Sequence, residues 1–244
     1  MKKYYNIFLI ITVTILVIIT ITFITFHIIS KKYNKKLITN SLVLFWDIYC
    51  KKNLIDYLNN NGINYKIVEY GINDGIILQV GSNYFILMEK HPQEYSNISI
   101  LTDSISKLIK QFGNTSLIGI STAGSKKYKI GSVLQFNSAI IQNYHQYELN
   151  SNFVEANKIL YKTNKFINEP IDDTKGFIKP YKNQYASGQD EFIVYIISNN
   201  LNIPSLTLTG ISDNDNFKEY ENGGGVLAAK NTVEFLFTTF NFDN

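Results

Sequence analysis

Hydrophobic positions follow two patterns along this chain. Residues 7–29, IFLIITVTILVIITITFITFHII, are apolar almost without interruption, and only threonines and His27 are polar. From residue 37 onward the apolar residues fall into short runs or alternate, punctuated by Gly, Asn and charge. A period of two predicts strands and a period near 3.6 predicts helices. Residues 41–49, SLVLFWDIY, predict a first strand, and KKNLIDYLNNNG predicts a short amphipathic helix stopped at Gly62. NYKIVEYG, GIILQVG and NYFILMEKH predict three strands joined by Gly-containing turns. Ile98, Ile100, Leu101, Ile105, Leu108, Ile109 and Phe112 have helical spacing, with Gly113 as the C-cap. TSLIGISTAGS predicts a strand running into a turn of small residues, and KIGSVLQFNSAI predicts another strand. DEFIVYIISNNLNI predicts a helix, residues 205–211 a buried strand, and GGGVLAAKNTVEFLFTTF a closing helix.

Strands separated by helices imply one α/β domain over residues 37–244, a three-layer sandwich around a central mixed sheet. Ligands of such sheets sit where strands end in loops. Two such ends carry polar chemistry: the STAGS turn, and the strand that ends on Ser212, Asp213 and Asp215.

The first pattern predicts a different unit. At about 1.5 Å per residue, the 23 residues from 7 to 29 reach ~34 Å, enough to span a bilayer core. Lysines flank both ends and no Ala-x-Ala cleavage pattern follows. Residues 1–36 therefore read as an uncleaved, single-pass membrane anchor, with a cleaved signal peptide as the alternative. Two lysines precede the span and four follow, which favours a cytosolic body, although basic flanks on both sides leave the side of the membrane open. His27 reads as an interfacial residue. Asn97-Ile98-Ser99 and Asn114-Thr115-Ser116 fit the glycosylation pattern, which arises readily by chance in an Asn-rich chain.

Composition changes this picture in two ways. The formal charge is +3, but every basic residue is Lys, and six of the 23 lie in residues 1–36, which hold no acid. The body keeps 17 lysines against 20 acids and is mildly acidic, so no electrostatic footprint for nucleic acid remains. The single cysteine, Cys50, excludes an internal disulfide and a multi-Cys zinc site, and reads as a small buried hydrophobe.

Four segments then carry a resemblance to the nucleoside phosphorylase and nucleosidase superfamily, in that family's order. KHPQEY (residues 90–95) resembles the phosphate-binding Arg-His-Gly segment. STAGSKKYKIGSVLQFNSAI (121–140) resembles the Thr-Ala-Gly-Gly/Ser turn and the strand after it, with Ser132 in place of an Asp. GQDEFIVYIISNNLNIP resembles the helix whose Met-Glu acid holds ribose hydroxyls, and GISDND resembles the strand end that carries the purine-contacting acid. The last helix, GGGVLAAKNTVEFL, also fits.

The resemblance implies cleavage of the N-glycosidic bond of a purine nucleoside or its 5′-thio analogue, by phosphorolysis or hydrolysis. Asp213 would be the general acid toward the base, with Ser212 beside it and Asp215 toward an exocyclic amino group. An Asx-turn or helix-cap carboxylate is the plain alternative for Asp213. The ribose acid falls on Asp190, with Gln189 for the usual Met and Glu191 as the adjacent candidate; an acid placed at a helix amino end by the macrodipole is the alternative. Ser121, Thr122, Ala123 and Gly124 would cradle base or phosphate. Gly119 would let backbone approach the ligand, and His145 with its tyrosines would stack on a purine.

The nucleophile separates the subclasses. Phosphate, if a co-substrate, would meet Lys90, His91 and Thr122 without any guanidinium. Hydrolytic relatives place a Glu after the first strand; here Asp47 is the only acid near. No metal or organic cofactor is implied, and a homo-oligomer would allow a neighbouring subunit to complete the site. The reading from another class is a catalytically degenerate nucleoside-binding or interaction protein on the same fold.

Overall fold

Alternation along Ser41–Phe45 (β1) fixes the layers. Leu42 and Leu44, with Trp46 beyond the strand, enter one hydrophobic core, while Val43 and Phe45 enter the other. A strand buried on both faces must lie inside a sheet that is covered on both sides. The computed structural model describes residues 13–14, 16–22, 35–68, 75–92, 98–141, 153–173, 186, 188 and 190–242. The chain divides into two units, residues 1–36 and 37–244.

In the second unit β1 is followed by α1 (Ile48–Asn60), β2 (Lys66–Val68), β3 (Gly75–Val80), β4 (Asn83–Met88) and α2 (Ile98–Phe112). Then come β5 (Ser116–Gly124), β6 (Val133–Leu134), β7 (Ser138–Ile140), β8 (Phe153–Glu155), β9 (Ile171–Asp172), α3 (Glu191–Leu201), β10 (Ser205–Asp213) and α4 (Gly225–Thr239). The main sheet has the order β2-β3-β4-β1-β5-β10-β6. Strands β4, β1, β5 and β10 are mutually parallel, and β2, β3 and β6 pair antiparallel, so the sheet is mixed. A second sheet, β9-β7-β8, lies beside it in sequence order 9-7-8. Helices α1 and α4 cover one face through Leu54, Leu58, Val233 and Leu236. Helices α2 and α3 cover the other through Leu101, Ile105, Phe192 and Ile193.

Several elements differ from their sequence expectations. The first strand stops at Phe45 because Asp47 caps α1: its Oδ1 accepts from the backbone N–H of Tyr49 at 2.8 Å and of Cys50 at 3.0 Å, which satisfies two otherwise orphaned donors. The predicted strand over residues 129–140 is two strands in different sheets. Gln135 between them is wholly buried and bonds the 161–165 loop, donating to the Tyr161 carbonyl at 2.7 Å and accepting from Thr163 N–H at 2.8 Å. Strand β10 runs two residues past Ile211, with a bulge between Ile211 and Asp213. The last helix begins at Gly225, after a π-turn over Tyr220–Gly224. A Cβ on Gly224 would fall on the carbonyl oxygen of Ser212, so only glycine lets this turn lie against the end of β10. Residues 69–71 of the NYKIVEYG strand lie outside the described residues.

Gly119 has a different reason from the one the sequence suggested. Its missing side chain admits α3, because a Cβ there would meet Val194 Cγ2 at 2.6 Å. Gly113 does close α2 with a positive φ of 66°. Asn114 is buried, which leaves its triplet no surface for a glycan; Asn97 lies outside the described residues. Cys50 is buried as expected, and burial together with the neighbouring Asp47 pushes its thiol up.

In the first unit, residues 13–14 and 16–22 are helical, with exposed apolar side chains. Thr20 and Thr22 donate back to the carbonyls of Leu16 and Ile18, at 2.8 Å each. Among the described residues no helix is long and apolar enough to cross a membrane. The rest of the 7–29 stretch, His27 included, lies outside the described residues.

Candidate functional site

The carboxyl ends of β1, β4, β5 and β10 lie on the same edge of the main sheet because these strands are parallel neighbours. Each delivers polar groups there. Asp47 follows β1, and His91 lies three residues after β4. Thr122 to Gly124 end β5, and Ser212 with Asp213 end β10. Register places Gly210 opposite Thr122, Ile211 opposite Ala123 and Asp213 opposite Gly124. The bulge before Asp213 re-aims that side chain at the rim, as bulges beside functional sites commonly do.

Asp213 is half-buried. Its Oδ1 accepts from Asn216 N–H at 2.9 Å, and its Oδ2 lies 2.7 Å from the Ser212 hydroxyl. The Asx-turn that the sequence offered as an alternative is therefore formed, and the same turn fixes the carboxyl against Gly124. A Cβ on Gly124 would stand 2.7 Å from Asp213 Oδ1 and 2.9 Å from Asp215 Oδ1. Gly124→Ala is accordingly expected to displace both acids, lowering any nucleoside-dependent activity or binding far more than the melting temperature. Equal ligand response in parent and variant would refute a role for this contact. Asp215 holds a positive φ of 59° and faces Lys126 at 3.8 Å. Partial burial raises its carboxyl, against the pull of Lys126.

Period two splits the β5 turn. Thr122 faces Asp47, donating to its Oδ2 at 3.0 Å. Ser121 points to the opposite layer, where it donates to Glu191 Oε1 at 2.5 Å. Thr209, opposite Ser121 on β10, donates to that same oxygen at 2.5 Å. Glu191 is thus enclosed between α3, β5 and β10, and Ser121 is part of this buried cluster. Ala123 is buried in the core on the same side.

Asp190 is buried. It stands at the amino end of α3, where the macrodipole alone would favour an acid, but it makes no side-chain cap bond. Its Oδ1 lies 3.1 Å from His91 Nδ1. Burial pushes its carboxyl up to about 6; His91 pulls it down, and Glu191 and Asp47 push it further up. Lys90 is exposed, and His91 Nδ1 is bonded to Asp190. Gln189, Gln93 to Tyr95 and His145 lie outside the described residues.

Two participants were absent from the sequence expectation. Tyr220, on the π-turn, donates to Asp47 Oδ2 at 2.6 Å. Burial and the adjacent Asp47 carboxylate push its phenol up, so it stays a donor. Its ring contacts Tyr49 at 5.3 Å and stacks on Phe217 at 5.6 Å. Nothing local in the sequence marks Tyr220 among 17 tyrosines. The other is Asp173, wholly buried beneath α3, which accepts from Phe192 N–H at 2.7 Å. Asp47 fell inside the predicted first strand, and the structure makes it the N-cap of α1 instead.

Together these groups make a polar rim: a half-buried acid at a strand end, a buried acid bonded to a histidine, and a third acid bonded to two hydroxyls. No group of His, Cys, Asp and Glu suited to a metal occurs among the described residues.

No family model matches the chain, and no curated protein resembles it in sequence. Solved structures do share its fold. A mutant of the Helicobacter pylori 5′-methylthioadenosine nucleosidase, with 5′-methylthioadenosine in its active site, superposes with a TM-score of 0.63 at 13% identity, covering 83% of this chain and 98% of that one. The futalosine hydrolase of Helicobacter pylori gives 0.63 at 13% identity, over 85% and 98%. The Streptococcus pneumoniae 5′-methylthioadenosine/S-adenosylhomocysteine nucleosidase, bound to a transition-state inhibitor, gives 0.60 at 14% identity, over 82% and 97%. The α/β sandwich with its central mixed sheet is therefore the nucleosidase fold.

Proposed function

We propose that this protein hydrolyses the N-glycosidic bond of a purine nucleoside or a 5′-thioalkyl analogue. The observation that carries the reading is the convergence of Asp213, Asp190 and Asp47 at the carboxyl edge of four parallel strands, on a fold shared with nucleosidases. In this reading Asp213 gives a proton to the base as the C1′–N bond breaks. The positive charge that develops on the ribose is met by an acid-rich wall, and Asp190 accepts from the ribose hydroxyls. A water held at Asp47 and Thr122 attacks C1′ and loses its proton to Asp47, leaving free base and ribose.

The same wall argues for water over phosphate. Asp47 and Asp190 are both buried, and His91 is committed to Asp190. A phosphate dianion there would face carboxylates with no arginine to offset them.

One observation favours a second reading. Asp47 already accepts four hydrogen bonds, two at each oxygen, which fills its lone pairs. A water can be activated only if Thr122 or Tyr220 yields its place. A site that keeps all four bonds would bind a nucleoside without turning it over. Incubating the full chain in detergent with 5′-methylthioadenosine, adenosine and inosine, with and without phosphate, separates the two. Free base formed without phosphate supports the hydrolase. Binding with no base released supports the binding protein, and neither result from any nucleoside would sink both. Membrane attachment through residues 7–29 and assembly into a homo-oligomer remain parts of this proposal, tested by carbonate extraction of membranes and by light scattering.

A further inference from the structure

Beneath the proposed site lies a buried acid that the reaction does not use. Asp173 follows β9 and is wholly buried. Its Oδ2 accepts from Phe192 N–H at 2.7 Å, in the first turn of α3. Its Oδ1 is buried and finds no donor among the described residues. What Oδ1 faces is another acid: a Cβ on Gly188 would touch Glu191 Oε2 at 2.6 Å and Asp173 Oδ1 at 2.9 Å, so one small volume holds both oxygens. Glu191 Oε1 is filled by Ser121 and Thr209, and Oε2 accepts from Asp190 N–H at 3.3 Å. Two carboxylates in contact away from water cannot both stay ionised. A proton on Asp173 Oδ1 satisfies that orphaned atom, because it makes the atom a donor and gives Glu191 a fourth partner.

We infer that Asp173 is a protonated positioning residue whose hydrogen bond to Glu191 fixes the amino end of α3, and with it the backbone of Asp190. This inference rests on the hydrolase reading only for the use to which Asp190 is put. The pair replaces the cap that Asp190 itself does not supply, and so leaves the Asp190 carboxyl to His91 and the ligand. Burial first, and then Glu191, hold Asp173 well above the usual carboxylate range, while Phe192 N–H pulls the other way and Asp190 adds to the rise. The titratable groups facing the pair are Asp190 and Tyr195 of α3, with His91 reached through Asp190. Burial raises Tyr195 as well, and it bonds Thr207 at 2.7 Å.

The linkage has a definite sign. An acid raised on folding holds a proton that the unfolded chain has lost, so its contribution is complete at low pH and declines as pH rises toward the folded value. Asp173→Asn keeps the acceptor for Phe192 N–H and supplies a permanent donor to Glu191. Asp173→Ala supplies neither. Melting of the full chain in detergent, followed from pH 5 to 8, is expected to show the Asn variant gaining on the parent by roughly 3–5 °C per pH unit. The Ala variant should melt lower throughout. A parent and an Asn variant that lose stability in parallel over this range would overturn the inference, because the parent's Asp173 would then carry no extra proton. The positioning role is read from the melting shift that saturating 5′-methylthioadenosine produces. It should shrink in the Ala variant and return in the Asn variant, and equal shifts in all three would overturn it. If 5′-methylthioadenosine shifts none of them, the nucleosidase reading fails for this ligand, and the pH series still decides the acid pair.

Discussion

Asp213→Asn is expected to lower base release from 5′-methylthioadenosine by roughly 10²–10⁴-fold, the usual worth of a positioned general acid. The geometry makes this a clean substitution. Asn keeps the Oδ1 acceptor for Asn216 N–H, and its amide still reaches the Ser212 hydroxyl, so the Asx-turn that fixes the side chain survives. What disappears is a proton that can be given to the departing base. Single-turnover release measured by chromatography, with melting temperature as the control for folding, checks it. A variant that matches the parent rate would remove Asp213 from the mechanism and leave its carboxylate as a turn former only.

Asp190→Asn should have the next largest effect. A carboxylate that accepts two ribose hydroxyls makes charge-assisted bonds of about 1.5–3 kcal/mol each. Losing the charge is therefore expected to lower kcat/KM by about 10²-fold or more, with little change in melting because Asp190 caps nothing. The pH profile carries a second signature. Burial places the Asp190 carboxyl at about 6 against the pull of His91. The binding form is the ionised one, so kcat/KM of the parent should fall as pH drops through about 6. The Asn variant, with no proton to gain, should lose that acid limb. An unchanged acid limb would assign the titration to another group and leave Asp190 as a partner of His91 alone. Asp190 reaches less far than the glutamate it stands for, and a small effect in both measurements would show that the shorter acid does not touch the ribose.

The two acids were legible in different degrees. Asp213 could be placed at a strand end because an apolar run of strand length gives way abruptly to turn formers, and local composition is what sets that boundary. Asp190 is legible only through the family resemblance of the segment ahead of α3. That it makes no cap bond could not be read there, since Asp is an ordinary N-cap residue; in the structure Phe192 N–H is bonded to Asp173 and Asp190 N–H to Glu191. Ser121 and Thr122 looked equivalent in a small-residue turn. Alternation sends them to opposite layers, and which layer holds the site depends on where α1 and α3 pack. Tyr220 is 173 positions from Asp47 along the chain, and no pattern of spacing marks it.

The sequence by itself determined the class of this protein. Its periodicities set strands and helices in α/β order, and Gly113 closes α2 as read. These are local or compositional properties, carried by backbone sterics, side-chain pattern and charge. The tertiary structure decided everything that depends on two distant segments meeting. The parallel register brings Asp213 onto Gly124, the π-turn carries Tyr220 to Asp47, and the packing of α3 turns Glu191 and Asp173 into a buried pair. The physical reason is burial: a carboxylate's proton, partners and reach are set by what excludes water around it, and that is known only once the layers have closed.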